Sequence, residues 1–143
     1  MSKSRIKLTV DNSDLRKMTA GLVGRASDFS GPLRATRNLL EVKIARQFAQ
    51  EVDPDGRPWQ QLSSDYLKVK QGGSILVKTG ELRDSFTFSL DKNSLSVMSS
   101  SKVFDKHDQG LDGMPQREIL GLSAEDKNEI AGLTRRYIMG RKR

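Results

Sequence analysis

The first pattern along the chain is a strict alternation of apolar and polar residues over positions 5–10. The apolar positions are Ile6, Leu8 and Val10. Alternation of this kind is typical of a strand with one buried face, so we predict a strand over 5–10. Polar residues at 11–13 can cap a helix, and apolar side chains then recur at helical spacing, which predicts a helix over about 13–27.

The longest helical pattern follows Ser30-Gly31-Pro32, where the missing N–H of a first-turn proline costs nothing. Its apolar residues recur on a single stripe. They are Leu33, Leu40, Ile44 and Phe48. The pattern predicts a helix over 33–50 that ends near Glu51, because Asp53-Pro54-Asp55-Gly56 is a helix-breaking turn.

A β-hairpin is predicted over residues 85–99, with Asp91-Lys92-Asn93-Ser94 as its turn. Apolar residues alternate on both arms. They are Phe86, Phe88 and Leu90 on the first arm, and Leu95 and Val97 on the second. A short segment near 103–109 and a loop over 110–115 follow the hairpin.

The last part of the chain predicts a strand and then a helix. The strand is the apolar run at 118–122. Ser123 and Asp126 have the spacing of a capping box, which starts a helix over 124–139, and Gly140 is a suitable stop. The residues expected to point inward are Ile130, Leu133, Tyr137 and Ile138.

Together these elements predict an α+β fold in a single domain over residues 1–143. A small, mainly antiparallel sheet would contain the hairpin, the 118–122 strand and the first strand, with the two main helices packed on it. Residues 53–82 would form a long irregular middle loop that is mobile before assembly. Within this loop a short amphipathic helix is expected after Pro58, with Trp59, Leu62, Tyr66 and Leu67 as its apolar residues.

The chain is basic, with 25 Lys and Arg against 18 Asp and Glu and a net charge of +7. The excess lies near the two ends of the sequence, and residues 140–143 form a basic tail. Contact with an acidic partner or with DNA needs only charge and reach, so we predict such contacts for seven residues. They are Arg34, Arg37, Lys43, Arg46, Arg141, Lys142 and Arg143. The alternative interpretation is an ordinary solvated surface.

The composition excludes disulfide-bonded proteins, thiolate metal proteins and proteins with a transmembrane helix. The chain has no cysteine, which excludes disulfides and thiolate metal sites and is compatible with the cytoplasm. No apolar run is long enough for a transmembrane helix, and no apolar segment typical of a signal peptide follows the basic N-terminus. We therefore expect no membrane partner.

The sequence offers little for catalysis. His107 is the only histidine, and a hydrolase triad with Asp105 or Asp108 would lack a Gly-x-Ser-x-Gly nucleophile motif. We interpret His107 as a residue near a helix end that hydrogen-bonds a backbone carbonyl or makes a subunit contact. The chain is therefore predicted not to be an enzyme.

Two loops have partial similarity to ligand-binding loops. Asp53-x-Asp55-Gly56 is similar to half of a calcium loop, but the twelfth position is Ser64 instead of Glu. The segment from Gly72-Gly73-Ser74 to Lys78-Thr79-Gly80 lacks the residue order of a phosphate loop. We interpret the first as a turn and the second as a mobile loop, and we predict no cofactor and no metal.

Four short motifs occur in order after the first helix. They are Asp53-Pro54-x-Gly56-x-x-Trp59-x-x-Leu62, Ile75-Leu76-x-x-Thr79-Gly80-x-Leu82-Arg83-x-Ser85, His107-x-x-Gly110 and Pro115-x-Arg117-x-x-Leu120-Gly121-Leu122-Ser123. Together they resemble the phage virion morphogenesis family, whose members are also called tail completion proteins and occur in Mu-like and related tailed phages. The chain departs from the family at Val103-Phe104-Asp105, where a Tyr-Ala pair is usual.

The resemblance implies a structural protein of the virion, placed in the neck or tail, that completes the tail and takes part in head–tail joining. It implies a homo-oligomeric ring at the head-proximal end of the tail, with a hexamer favoured. The implied partners are tail terminator, tail tube or head–tail connector proteins, with non-specific DNA contact as a further expectation.

The alternative function is a nucleic-acid-binding module that uses the basic patches. No recognition helix or aromatic stacking platform is evident in the sequence. A ring of defined mass would favour the structural role, whereas salt-dependent DNA binding by the isolated subunit would favour the alternative.

Overall fold

The computed structural model describes residues 7–19, 28–64, 66, 75–77 and 79–140. The elements along the chain are β1 (Lys7–Asp11), α1 (Asn12–Met18), α2 (Ser30–Gln50), β2 (Phe86–Leu90), β3 (Ser94–Ser99), α3 (Phe104–Gln109) and α4 (Ala124–Ile138). The predicted α+β class is confirmed, since these residues form a three-stranded antiparallel sheet and four helices. None of these helices is long and apolar enough to cross a membrane.

The sheet has the strand order β1-β3-β2, and both pairings are antiparallel. Val97 on the central strand lies opposite Leu8 on one side and Phe88 on the other, so the apolar residues of all three strands share a face. This face packs against α2. The predicted hairpin and the first strand are confirmed from Lys7 onward, and positions 5 and 6 lie outside the described residues.

The predicted strand over 118–122 is wrong, because these residues join no sheet. Their backbone groups bind side chains of other segments. The N–H groups of Ile119 and Leu120 donate to the Asp108 carboxylate, and the Ile119 carbonyl accepts from Gln47. Ile119 and Leu120 are nevertheless buried, so the apolar run belongs to the core without strand pairing.

Helix α2 carries the predicted stripe of Leu33, Leu40, Ile44 and Phe48 on its buried face. It begins at Ser30, three residues before the predicted start, and ends at Gln50. The next residue, Glu51, takes a left-handed conformation with φ of 58°, which terminates the helix as in an αL cap.

Helix α4 starts with the predicted capping box. The Ser123 hydroxyl accepts from the Asp126 N–H, and the Asp126 carboxylate accepts from the Ser123 N–H. Its buried residues are Ile130, Ala131 and Thr134. The prediction that Tyr137 points inward is wrong: Tyr137 is 42% exposed, and its hydroxyl donates to the Asp28 carbonyl.

Helix α1 is capped by Asp11, whose carboxylate accepts from the Asp14 N–H at 3.0 Å. The described helix ends at Met18, where the Thr19 hydroxyl donates back to the Leu15 carbonyl. Residues 20–27, which make up the rest of the predicted 13–27 helix, lie outside the described residues.

The middle segment is irregular, as predicted, over most of the part that the structure describes. The predicted amphipathic helix after Pro58 is wrong for Trp59 and Leu62, which are in no helix, whereas Tyr66 is helical, as is Ser64. Leu67 lies outside the described residues. Trp59 is 3% exposed, and its ring meets Phe48 edge-on with ring centroids 5.5 Å apart. The loop residues 72–74 and Lys78 also lie outside the described part of the chain.

Candidate interaction surface

The Asp53–Gly56 segment is a tight turn stabilised by its first side chain. Asp53 Oδ1 accepts from the backbone N–H groups of Asp55 and Arg57, both at 2.9 Å. Gly56 has φ of 85°, which favours glycine, and Asp53 also pairs with Arg57 through its backbone. The interpretation of this motif as a turn is confirmed, since its leading carboxylate binds local amides.

Residues 59–61 are hydrogen-bonded to residues 117–118. The Trp59 indole N–H donates to the Glu118 carbonyl at 2.8 Å. Arg117 is only 6% exposed, and its Nε donates to the Gln60 carbonyl at 2.8 Å. Two of the motifs that carry the family resemblance therefore hold each other in place.

Asp108 fastens α3 to the 114–123 segment. Its Oδ1 accepts from the N–H of Ile119 at 2.8 Å and of Leu120 at 3.1 Å. Burial raises the pKa of Asp108, and these two hydrogen bonds oppose the rise. From the sequence, Asp108 is only a possible triad partner. No local pattern indicates that its carboxylate accepts hydrogen bonds from amides eleven and twelve residues further along the chain.

The surroundings of Gly110 explain why the third motif has a glycine at this position. Gly110 has φ of 72°, and a Cβ at this position would lie 2.9 Å from the Gln116 backbone nitrogen. We name residues 53–62, 107–110 and 114–123 the central loop cluster. Within this cluster, the side chains of Asp53, Trp59, Asp108 and Arg117 form hydrogen bonds with backbone groups of the same chain.

His107 lies near the end of α3, as predicted, and is half-buried. Burial lowers its pKa, and the positive charges of Arg117 and Lys106 lower it further. The prediction that it hydrogen-bonds a backbone carbonyl is not met at Nδ1, which is buried without a hydrogen-bonding partner in the described part of the chain. Its backbone carbonyl accepts from the Arg117 N–H at 2.7 Å.

Thr79 and Gly80 belong to the segment that has partial similarity to a phosphate loop. Gly80 has φ of 85°, and its carbonyl accepts from the Asp84 N–H in a turn over 81–84. This turn leads into β2, so no helix N-terminus follows Thr79 as a phosphate loop requires.

The basic residues predicted as contacts fall into two places on the antiparallel pair of α2 and α4. Arg34 and Arg37 lie in the first half of α2, beside the end of α4, where Tyr137 contacts Gly31. Lys43 and Arg46 lie beside the start of α4. The remaining three, Arg141, Lys142 and Arg143, lie outside the described residues.

Lys43 is not the solvent-facing residue that the sequence predicted. Its side chain is 13% exposed, forms an ion pair with Asp126 and donates to the Pro54 carbonyl at 2.9 Å. Burial lowers its pKa, and the nearby carboxylates of Asp55 and Asp53 oppose this. Lys43 therefore joins α2, the 53–56 turn and α4.

Two further arginines lie near the end of α4, the first of the two places named above. Arg135 and Arg136 lie in the last turn of α4, next to the first half of α2. We name Arg34, Arg37, Arg135 and Arg136 the basic pole. The charge count of the sequence included Arg135 and Arg136, but only helix packing brings the last turn of α4 to the start of α2, where Tyr137 contacts Gly31.

A groove of about 410 Å³ lies at the opposite end of the same helix pair. It is lined by the last two turns of α2, residues 52–56 and residues 123–126. Four of its residues are acidic and two are basic, so we name it the acidic groove. They are Asp53, Asp55, Glu125 and Asp126, against Lys43 and Arg46.

The acidic groove is not a metal site by its donor set. Asp53 binds backbone amides, and Asp126 binds both its capping partner and Lys43. In residues 7–19, 28–64, 66, 75–77 and 79–140, no group of three or more His, Cys, Asp and Glu is arranged to hold a metal ion.

Comparison with known proteins gives one match. A family model described as the phage virion morphogenesis family matches residues 10–139. The match includes all four motifs of the sequence and every described helix and strand except the first residues of β1. No curated protein and no solved structure matches the chain.

Proposed function

The chain belongs to the phage virion morphogenesis family, and we propose that it completes the tail and joins it to the head as a subunit of a closed ring, with six copies favoured. The ring would lie in the neck, at the head-proximal end of the tail. Its neighbours would be tail terminator, tail tube or head–tail connector proteins. A role in virion morphogenesis is what the family name states; the ring and its place are our proposal.

The central loop cluster is the observation that carries a structural role. Trp59, Asp108 and Arg117 are largely buried, and each binds backbone groups of another segment. All three residues lie in or beside the family motifs. Their hydrogen-bonding groups hold loops together, which is consistent with membership of a family that assembles virions.

A ring requires two different, complementary surfaces on each subunit, because its interfaces are heterologous. The two ends of the α2–α4 pair meet this requirement in charge, with arginines at one end and an excess of carboxylates at the other. A two-fold dimer would instead use a single self-complementary surface.

The test is the mass of the purified chain in solution. Native mass spectrometry over a range of protein concentrations should show one closed species, and two-dimensional class averages should show a ring with an open centre. A chain that remains monomeric, or that forms only two-fold dimers under all conditions, would contradict the proposal.

A second candidate is a nucleic-acid-binding module, and the basic pole is the observation that favours it. Four arginines at one end of a helix pair can contact phosphates without any base-reading motif. Fluorescence anisotropy with duplex DNA at several salt concentrations tests it. Binding that weakens steeply with salt, in a chain that shows no ring, would favour this candidate over the structural one.

A further inference from the structure

We propose that the basic pole of one subunit docks in the acidic groove of a second copy of this chain. The inference rests on the proposed function, because it names the contact between adjacent subunits of the ring. It commits to a second copy as the occupant of the groove, on the grounds of charge, hydrogen-bonding capacity and the position of the two surfaces on one rigid helix pair.

The first step is the charge of the two surfaces. The acidic groove has four carboxylates against two cations, and one of these cations, Lys43, is already paired with Asp126. Asp55 and Glu125 are exposed at its rim. At the other end, Arg34 and Arg135 are exposed, and Lys92 lies close enough to act on Asp28 together with Arg34.

The second step is an unpaired acceptor in the groove. Gln47 lines the groove and is 3% exposed, and its Nε2 donates to the Ile119 carbonyl at 2.8 Å. Its Oε1 is buried with no donor among the residues that the structure describes. A guanidinium carries five N–H donors and no acceptor, so an arginine fits a groove that is rimmed by exposed carboxylates and lined by the Gln47 amide.

The start of α4 does not itself supply an anion site in this groove. Two carboxylates, those of Glu125 and Asp126, already lie in its first turn, and the capping box binds the N–H groups of Ser123 and Asp126. The groove therefore favours a cation over an anion, even though it contains a helix N-terminus, whose partial positive charge would favour the opposite.

The third step is the composition of the pole. Next to Arg135 and Arg136 in the chain, Tyr137 and Met139 are 42% and 57% exposed. Tyrosine, methionine and arginine are the residues enriched at protein–protein interfaces, where aromatic and arginine side chains provide most of the binding energy. The pole thus has the composition of a docking surface as well as its charge.

The fourth step is geometry. Helix α4 has 15 residues, so its two ends are about 22 Å apart at 1.5 Å per residue. The basic pole lies at its C-terminal end and the acidic groove at its N-terminal end. A rigid helix cannot bring one end to the other, so the pole can fill only the groove of another subunit. Repetition of this head-to-tail contact closes a ring if the rotation permits.

The test uses charge reversal on the full chain. Glu125→Lys changes the groove without touching the capping box, and Arg135→Glu changes the pole. The matched control reverses an exposed charge outside both surfaces: Lys102→Glu before α3. Each variant is checked by its melting temperature, and Arg34→Glu replaces Arg135→Glu if the latter does not fold.

Assembly is measured by native mass spectrometry and by sedimentation velocity at low and high salt. Each reversal at the pole or groove should weaken association by about tenfold or more, because like charges then face each other. The double variant Glu125→Lys/Arg135→Glu should recover most of the assembly, and the Lys102→Glu control should assemble like the unmodified chain. High salt should weaken the assembly of the unmodified chain.

The outcomes separate this inference from the proposed function. A folded Glu125→Lys or Arg135→Glu chain that forms the same ring as the unmodified chain overturns the inference and leaves the ring proposal in place. An unmodified chain that never forms a ring overturns both. If Arg135→Glu removes DNA binding and leaves the ring mass unchanged, the pole is a DNA contact and the inference is overturned.

Discussion

The central loop cluster and the ends of the α2–α4 pair use polar side chains in opposite ways. In the cluster, buried Asp108 and Arg117 bind backbone groups of the same chain. At the helix ends, Arg34, Arg135 and Glu125 are exposed, and no ion pair of theirs occurs among the described residues. The difference teaches that buried Asp108 and Arg117 maintain the fold, whereas the exposed charges at the helix ends make no ion pair among the described residues.

The largest effect on stability is expected where the cluster loses an acceptor. Asp108→Ala leaves the buried N–H groups of Ile119 and Leu120 without their partner, so the free energy of unfolding should fall by about 2–5 kcal/mol. Asp108→Asn keeps an acceptor oxygen and should recover part of this loss. Urea denaturation followed by circular dichroism measures both variants, with exposed Glu41→Ala as the control. An Asp108→Ala chain as stable as the control would contradict the role given to the cluster.

A smaller effect is expected from a pair of glycines that differ only in their surroundings. Gly110 and Gly113 both have positive φ, of 72° and 76°. A Cβ on Gly110 would meet the Gln116 backbone at 2.9 Å, whereas Gly113 has nothing within 4 Å. Gly113→Ala should cost about 1–2 kcal/mol from backbone strain alone, and Gly110→Ala about 2–4 kcal/mol because overpacking is added. Thermal denaturation of both variants would show whether the close approach matters, and equal losses would mean that it does not.

The pH dependence of the free energy of unfolding tests a further residue of the central loop cluster, His107. Because burial lowers the pKa of His107 from its ordinary 6.5, the unfolded chain binds a proton more readily than the folded one. The contribution of His107 is fully present above pH 6.5 and is lost as the pH falls through the lower folded pKa, by less than about 1.4 kcal/mol per pH unit. His107→Gln should flatten this part of the curve in urea titrations between pH 7 and 5. A variant with the same slope as the unmodified chain would assign the pH dependence to other groups.

The smallest effect on stability is expected from removal of the basic residues that follow Gly140 in the sequence. Removal of Arg141–Arg143 should change the free energy of unfolding by no more than about 0.5 kcal/mol, because these residues follow Gly140 with no apolar neighbour in the sequence. The same truncation should weaken partner docking and flatten its salt dependence, measured by head–tail joining in a reconstitution assay. A truncated chain that unfolds readily would show a structural tail. One that joins heads and tails as well as the full chain would show an ordinary solvated surface.

Much of the secondary structure was predictable because its signals are local. The alternation before Asp11, the stripe of α2 and the capping box of Ser123 and Asp126 each depend on residues only a few positions apart. The turn at Asp53–Gly56 is encoded in the same way, since its carboxylate binds amides two and four residues ahead. Side-chain chemistry and backbone geometry within one turn are sufficient for these predictions.

The predictions that failed required partners distant in sequence. The 118–122 run has the apolar pattern of a strand, but its amides bind Asp108 and its carbonyls bind Trp59 and Gln47. Lys43 has the sequence context of an exposed helix cation, yet it meets Asp126, 83 residues away. Neither spacing nor composition identifies which distant group takes a given hydrogen bond.

The sequence by itself determined the fold class, the end of α2, the capping box of α4, and the family through four ordered motifs. Only the tertiary structure decided that these motifs bind one another, and that the antiparallel packing of α2 and α4 gathers arginines at one end and carboxylates at the other. The physical reason is that secondary structure follows from interactions within a few residues, whereas a surface is created by the packing of segments far apart in the chain.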